Sequence, residues 1–324
     1  MTFNKRFINF RSKNYFYKMR ILIGLCILIF VGCKSNPEAQ PQQKTKYVVV
    51  VLIDGARYSE TFGDNLFQYI PRLHALQKHG TTLTSFYNDS VTFTVNGHAA
   101  VTTGVYETLA NNGFELPKHP GFLQQYLYKN KLEANKAWIV SSKDKLAVLA
   151  NCKDSVYANI DTPMTNCGNA GLHTGYRNDA ETYNTAIQIL KNYKPHVVFI
   201  SFKEPDNMGH AGNWPGYLAG LKQSDAYTDS IFKFLNSDLF YKNQTAFFVT
   251  NDHGRHLDGI ADGFVSHGDN CAGCKHIMLY ASGPDFKSNH IISKKYNQTD
   301  IHATICKLLN LQANGGNVIT ELFK

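Results

Sequence analysis

Beyond its first 33 residues, this 324-residue sequence has almost no net charge. Six of its 33 Lys and Arg residues lie in residues 1–33, which leaves 27 against 25 Asp and Glu and a net charge of +2. A nearly neutral chain does not present the basic surface that nucleic acid requires. We therefore predict no nucleic-acid partner.

The sequence also lacks an N-terminal apolar run long enough to be a permanent membrane anchor. Residues 21–32 are apolar, but a membrane-spanning helix needs about 20 such residues. A basic segment precedes this run and Cys33 follows it, the pattern of a lipoprotein-type secretory signal. We predict a signal in residues 1–33, with a lipid anchor at Cys33, a polar tether in residues 34–46, and one domain in residues 47–324. The alternative is an ordinary signal or uncleaved anchor.

These features predict an exported protein that is periplasmic or attached to the outer membrane. Cysteine is scarce in the exported part, because only five cysteines follow residue 33. Cys271 and Cys274 form a CxxC pair, but the sequence has no second pair to complete a four-cysteine zinc site. In an oxidising compartment, structural disulfides are favoured instead. The predicted bridges are Cys152–Cys167 and Cys271–Cys274, with Cys306 free.

What the sequence does contain is a series of short apolar runs separated by stretches with helical spacing. The predicted strands are 46–54, 137–142, 196–202, 245–252 and 276–282. The predicted helices are 65–79, 119–131, 179–193, 216–236 and 299–310. Nearly continuous apolar strands are typical of a parallel sheet covered on both faces. The pattern predicts an α/β fold with a doubly wound, mostly parallel sheet, helices on both faces and small cap insertions.

Acidic residues and histidines adjoin several of these strands. In an open α/β sheet, ligands bind at the carboxyl ends of the strands. The residues expected at that edge are Asp54, Asp206, His210, Asp252, His253 and His267. Carboxylates mixed with imidazoles suit zinc or similar divalent ions better than calcium. Six side chains exceed what one ion needs, so we predict two metal ions.

The segment FISFKEPDNMGH, residues 199–210, starts as a buried strand and ends with two of these residues. Pro205 and Gly209 argue against a helix here. We therefore predict a turn that directs Asp206 and His210 at one ion.

A threonine-rich stretch, residues 88–104, provides a nucleophile. It passes through Asn96 and Gly97 into a short helix, so Thr94 would lie just before a helix N-terminus that favours phosphate. The Thr94 hydroxyl would attack phosphorus and form a covalent phospho-enzyme that water then hydrolyses. Thr92 is the alternative nucleophile.

Five motifs now appear in a recognisable order: VVVVLIDGAR, the threonine before NGHAAVTTG, EPDNMGH, VTNDHG and SHGDN…IMLYASGPDF. Across nearly all of residues 47–310 the chain resembles the alkaline phosphatase superfamily, in its nucleotide pyrophosphatase/phosphodiesterase-like and phosphate-monoesterase branch. The resemblance implies one zinc ion held by Asp206, His210 and His267. It implies a second zinc ion held by Asp54, Asp252, His253 and Thr94. His302 is expected to be an ordinary helix residue.

The segment WIVSSKDKL, residues 138–146, is similar to one that binds outer phosphoryl oxygens in monoesterase and phosphonate-hydrolase members. The similarity implies that Lys143 and Lys145 bind the substrate. The family also uses an asparagine that donates to a phosphoryl oxygen. Spacing assigns this role to Asn112, with Asn111 as the alternative.

The sequence thus predicts a two-zinc phosphohydrolase, foremost a phosphate monoesterase, acting on a small phosphorylated substrate through a phosphothreonine. The alternatives are a phosphodiesterase or nucleotide pyrophosphatase, and a phosphonoacetate-type phosphonate hydrolase. The Cys/Ser-x-Pro-x-Arg signature of sulfatases is missing, which argues against sulfate ester hydrolysis. A further alternative is a non-catalytic binding lipoprotein stabilised by zinc.

Overall fold

The computed structural model describes residues 43–324. The predicted signal, the lipid anchor and most of the tether lie outside these residues. None of the described helices is long and apolar enough to cross a bilayer.

A central sheet organises the described residues. Its nine strands are β1 (Tyr47–Ile53), β2 (Thr81–Tyr87), β3 (Ala137–Ser141), β4 (Met164–Cys167), β5 (Val197–Phe202), β6 (Thr245–Thr250), β7 (His276–Ser282), β8 (His290–Ile292) and β9 (Tyr296–Asn297). Their spatial order is β4-β3-β5-β1-β6-β7-β2-β8, and β9 also pairs with β2.

Eight α-helices accompany the sheet in the described part of the chain. They are α1 (Pro71–Leu76), α2 (Thr94–Thr103), α3 (Phe122–Asn130), α4 (Asp179–Asn192), α5 (Glu204–His210), α6 (Trp214–Ser237), α7 (Ala272–Lys275) and α8 (Thr299–Leu308). The prediction of a mostly parallel sheet surrounded by helices is confirmed.

The two faces of the sheet bury separate apolar cores. Alternate side chains of a strand point to opposite faces, so β1 contributes to both. Val48, Val50 and Leu52 pack in the core with α2, α3 and α8. Their neighbours Val49 and Val51 pack in the other core with α1, α4 and α6. Each fully buried side chain of this kind contributes about 1.5–3 kcal/mol, which explains why β1 is apolar throughout.

Strand direction decides where the loops lie. The block β4, β3, β5, β1 and β6 is parallel. In contrast, β7 runs antiparallel to β6, which agrees with a sheet that is mostly but not wholly parallel. Because β7 is reversed, it begins at the edge where the parallel strands end. The loop before β7, which carries His267, therefore lies beside the carboxyl ends of β1, β5 and β6.

The predicted turn after β5 is in fact helix α5. Pro205 lies in the first turn of this helix, where a missing N–H costs nothing. Gly209 is required by packing, because a Cβ there would lie 2.5 Å from the guanidinium carbon of Arg255. Asp206 and His210 are consequently four residues apart on one helical face.

Neither predicted disulfide is present, and the five cysteines of the described residues are all free. Cys167 ends β4, an edge strand too polar to be recognised in the sequence, and its thiol points to the carbonyl of Ile139 on β3. Cys271 caps α7, where its sulfur accepts a hydrogen bond from the backbone N–H of Cys274 at 3.1 Å.

Candidate metal centre

The carboxyl edge of the parallel strands gathers all six predicted acidic and histidine residues. Asp54 follows β1, Asp206 and His210 lie on α5 after β5, Asp252 and His253 follow β6, and His267 precedes α7 and β7. The sheet order places β1 between β5 and β6, so the three groups adjoin.

The first group consists of Asp206, His210 and His267. Their ligand atoms lie within 4.8 Å of one another. The Oδ1 atom of Asp206 is 3.4 Å from Nε2 of His210 and 3.3 Å from Nε2 of His267. The two Nε2 atoms are themselves 3.0 Å apart. This is the set that the sequence assigned to one metal ion.

The second group consists of Asp54, Asp252 and His253. The Nε2 atom of His253 lies 3.6 Å from Oδ1 of Asp54 and 3.2 Å from Oδ2 of Asp252. Asp54 and His253 also form a compact set with Asp206 of the first group. The His253 ring stacks on the His267 ring with centroids 3.7 Å apart, so the two groups are in contact.

Several buried atoms of this cluster have no hydrogen-bond partner, and these atoms test whether metal ions fit. They are Oδ1 of Asp54, Oδ2 of Asp252 and Nε2 of His253. An unpaired buried polar atom costs about 1–3 kcal/mol. Carboxylate oxygens and imidazole nitrogens are typical zinc ligands. The residues therefore fit divalent metal ions.

The surroundings direct the lone pairs of two histidines into the cluster. Nδ1 of His253 is hydrogen-bonded to the carbonyl of Gly254 at 2.8 Å, and Nδ1 of His267 to the carbonyl of Thr92 at 2.6 Å. A carbonyl only accepts, so each Nδ1 carries the proton and each Nε2 is left as a ligand. Burial lowers the pKa of His253 to about 3 and that of His210 to about 4. At neutral pH both are uncharged, the form that binds metal.

Between the two predicted nucleophiles, the structure places Thr94 nearer to this cluster. Thr94 is the first residue of α2, and its Oγ1 lies 3.2 Å from Nζ of Lys143. The Thr92 hydroxyl instead donates to the carbonyl of Asp269 at 2.9 Å and accepts from the N–H of Gly268 at 3.1 Å. Thr92 thus holds the loop that carries His267.

Lys143 lies deeper than expected for a residue that binds only substrate. Its Nζ is 2.7 Å from Oδ2 of Asp54 and 2.6 Å from Oδ2 of Asp206. Burial lowers the pKa of Lys143, but the carboxylates of Asp206, Asp54 and Asp252 outweigh this effect and raise it. For Asp54, burial and the nearby Asp252 raise the pKa well above its usual value despite Lys143.

Lys145 reaches the start of α2 through Asn111. Its Nζ donates to Oδ1 of Asn111 at 3.0 Å, and the same oxygen accepts from the N–H of Val95 at 3.0 Å. Burial and the charge of Lys143 lower the pKa of Lys145 to about 8. Asn112, the residue chosen from spacing, is turned away from α2, and its Oδ1 accepts from the N–H of Phe114 within a turn. Asn111 therefore replaces Asn112 as the asparagine beside Thr94.

Two supporting residues were missed in the sequence. Arg255 is fully buried and forms an ion pair with Asp206. Burial raises the pKa of Asp206, yet Lys143, His267 and Arg255 outweigh it and hold the pKa well below its usual range. His98, four residues after Thr94 on α2, places Nδ1 3.3 Å from Oδ2 of Asp252. In the sequence, the only indication of a role for Arg255 and His98 was that they lie within the NDHGR and NGHAA segments.

His302 behaves as expected. It lies in α8 with its Nδ1 atom hydrogen-bonded to the carbonyl of Thr102 at 2.8 Å. It takes no part in the candidate metal centre.

The fold is shared with a solved protein of the alkaline phosphatase superfamily. More specifically, the profile of the type I phosphodiesterase / nucleotide pyrophosphatase family matches residues 48–256. This match spans more than half of the chain, and the chain belongs to that family. No curated protein sequence matches this chain. The chain is accordingly a phosphoesterase of this superfamily.

Solved structures share the fold at low sequence identity. Murine ectonucleotide pyrophosphatase / phosphodiesterase 5 has a TM-score of 0.62 and 16% sequence identity, and the alignment covers 86% of this chain and 100% of the murine chain. Phosphonate monoester hydrolase from Silicibacter pomeroyi has a TM-score of 0.62 and 12% sequence identity, and the alignment covers 86% of this chain and 76% of the hydrolase. Lipoteichoic acid synthase LtaP from Listeria monocytogenes has a TM-score of 0.63 and 16% sequence identity, and the alignment covers 88% of this chain and 76% of the synthase.

Proposed function

We propose that this chain is a phosphate monoesterase that uses two zinc ions and Thr94 as the nucleophile. The supporting observation is the position of Thr94 Oγ1, at the start of α2 and 3.2 Å from Nζ of Lys143. That ammonium contacts Asp54 and Asp206, one from each group of candidate metal ligands. A hydroxyl at the junction of two cation sites is suited to attack a phosphoryl group.

The residues around Thr94 divide the work of phosphoryl transfer. Bound zinc ions would supply positive charge to the attacking and leaving oxygens. Thr94 Oγ1 forms a bond to phosphorus as the bond to the leaving oxygen breaks, and water later releases phosphate from the phosphothreonine. At the start of α2, N–H groups other than that of Val95, which donates to Asn111, would donate to the phosphoryl oxygens.

Two lysines add the charge that a dianionic monoester requires. Lys145 reaches the start of α2 through Asn111. Lys143 lies between carboxylates, and divalent cations on the same carboxylates would repel its ammonium toward the substrate. Both charges would then bind phosphoryl oxygens.

A solved relative supports the nucleophile. Murine ectonucleotide pyrophosphatase / phosphodiesterase 5 was solved as an inactive threonine-to-alanine variant in complex with AMP, a phosphate monoester. This structure covers 86% of the present chain with a TM-score of 0.63.

A phosphodiester substrate is the second candidate, and the family match favours it. A diester carries one negative charge less than a monoester, so it needs fewer lysine contacts. A phosphonate substrate is the third, because the KDK segment is shared with phosphonate hydrolases. We would compare kcat/KM for p-nitrophenyl phosphate, bis-p-nitrophenyl phosphate and phosphonoacetate. A hundredfold preference for the diester would reject the monoesterase proposal.

Replacing the proposed nucleophile tests the mechanism directly. Thr94→Ala should reduce turnover of p-nitrophenyl phosphate by about 10³-fold or more, since loss of a nucleophile removes the covalent route. Mass spectrometry of acid-quenched wild type should find phosphate on Thr94. Thr94→Ser, which keeps a hydroxyl, is the matched control and should retain measurable turnover. Wild-type rates in Thr94→Ala would exclude Thr94.

We further propose that the protein is exported and lipid-anchored at Cys33, as the basic segment, apolar run and cysteine suggest. Metabolic labelling with a radioactive fatty acid should label the wild-type protein and not Cys33→Ser. Equal labelling of both would reject the anchor.

A further inference from the structure

A second constellation of metal-ligand type lies outside the phosphoesterase centre. It consists of His256, Asp269, Cys271 and Cys274, hereafter the thiol cluster. One ligand atom from each residue lies within 4.8 Å of the other three. The two cysteines are not joined by a disulfide in the structure. None of the four is among the ligands assigned to the phosphoesterase metals.

The proton of His256 is held on the side away from the cluster. Nδ1 of His256 lies 2.8 Å from a carboxylate oxygen of Asp262, which accepts and thereby fixes the proton on Nδ1. Nε2 faces Oδ2 of Asp269 at 3.1 Å. A proton or a metal cation must lie between these two atoms, so a metal ion can take the place of the proton. A carboxylate behind the ring is also the usual companion of a metal-binding histidine.

The backbone presents both sulfurs and one carboxylate oxygen to the same point. The N–H of Cys274 donates to Sγ of Cys271 at 3.1 Å, which turns the CxxC segment so that both thiols lie on one side. The N–H of Cys271 donates to Oδ1 of Asp269 at 2.9 Å, so Oδ2 is the oxygen left for a ligand. Cys274 is fully buried, whereas Cys271 is partly exposed and leaves a route of entry.

The distances agree with tetrahedral zinc. Bonds of about 2.0–2.1 Å to nitrogen or oxygen and about 2.3 Å to sulfur place neighbouring ligand atoms about 3.3–3.8 Å apart. The 3.1 Å between His256 and Asp269 is slightly below this range, and the other ligand atoms, which all lie within 4.8 Å of one another, would have to approach by up to about 1 Å. We propose that His256, Asp269, Cys271 and Cys274 bind a structural Zn²⁺ ion with all four positions filled by protein.

This ion would join the two loops that carry phosphoesterase ligands. His256 is three residues from His253, and Asp269 is two residues from His267. The loops already touch, because the N–H of Gly254 donates to the carbonyl of Cys274 at 2.8 Å. A Cβ on Gly254 would lie 2.0 Å from the carbonyl oxygen of Gly273, so the contact leaves no room for a side chain. The structural zinc would hold this contact closed.

Cobalt substitution tests the thiol cluster independently of catalysis. The reduced, metal-free full chain is titrated with Co²⁺, and the thiolate-to-cobalt charge-transfer band is recorded in the near ultraviolet. The phosphoesterase ligands include no thiolate, so the band reports only cysteine ligation. We expect it to saturate at one cobalt per chain, to disappear in Cys271→Ser/Cys274→Ser and to persist in the control Cys152→Ser.

The single variant Cys271→Ser covers the case in which the double variant does not fold, because it should keep one thiolate and about half of the band. Zinc analysis after dialysis should find about one ion per chain fewer in the double variant than in wild type. Absence of the band in reduced wild type, or an unchanged band in the variants, would overturn the proposal. So would a Cys271–Cys274 disulfide in protein purified with zinc and without oxidant.

Discussion

Removing the buried guanidinium of Arg255 should destabilise the fold strongly. Arg255 pairs with Asp206 and also donates to the carbonyls of Phe264 and Val265. Arg255→Met keeps most of the volume, and the two carbonyls that it leaves are partly buried, so water replaces the lost donor at a cost below that of a fully buried unpaired group, about 1–3 kcal/mol. Breaking one partner of a buried ion pair costs about 3–5 kcal/mol, and Lys143 still pairs with Asp206. We therefore expect a loss of about 3–5 kcal/mol.

The assay is urea unfolding of the metal-free protein. Arg72→Met is the matched control, because Arg72 is half exposed and 3.7 Å from Asp225, where an ion pair contributes at most about 1 kcal/mol. The folded state holds the pKa of Asp206 well below its usual value, so this stabilisation is complete above the unfolded pKa near ~3.9 and disappears in acid. The difference between wild type and Arg255→Met should shrink below about pH 4. A loss as small as that of Arg72→Met would refute the reasoning.

Three further outcomes follow from the site. Asn111→Ala should lower kcat/KM for p-nitrophenyl phosphate by about 10–100-fold, because it removes the side chain that holds the Lys145 ammonium at the start of α2, a charged hydrogen bond of about 1.5–3 kcal/mol. Asn112→Ala should change kcat/KM by no more than about twofold. Burial lowers the pKa of Lys145 to about 8, so KM should rise as the pH passes 8 in wild type and stay flat in Lys145→Arg. Gly209→Ala should unfold at lower urea concentration than wild type, because the new methyl group would meet Arg255 at 2.5 Å.

Local sequence patterns were sufficient for five of the nine strands, and they predicted that the candidate metal ligands lie at one edge of the sheet. The apolar runs that became β1, β5 and β6 are buried on both faces, which makes them easy to recognise. Because their carboxyl ends must adjoin in a parallel sheet, Asp54 and Asp252 were placed together from the sequence. Four strands were missed: β4, β8 and β9 are only two to four residues long, and β2 has the sequence TTLTSFY, in which hydroxyl side chains interrupt any apolar run.

Long-range contacts account for most of the errors. Pro205 and Gly209 oppose a helix locally, but the first turn accepts proline and Arg255 requires a glycine. The choice between Asn111 and Asn112 depends on which side chain meets α2, and adjacent residues in a loop carry no periodicity to decide it. The role of Arg255 was likewise invisible, because its partner Asp206 is 49 positions away along the chain.

Anomalous diffraction at the zinc absorption edge, on crystals of the zinc-loaded protein, tests the central claim most directly. We predict two peaks within the phosphoesterase cluster, about 3.5–4 Å apart, one contacting Asp206, His210 and His267 and the other contacting Asp54, Asp252 and His253. A single peak there, or none, would contradict the two-metal account.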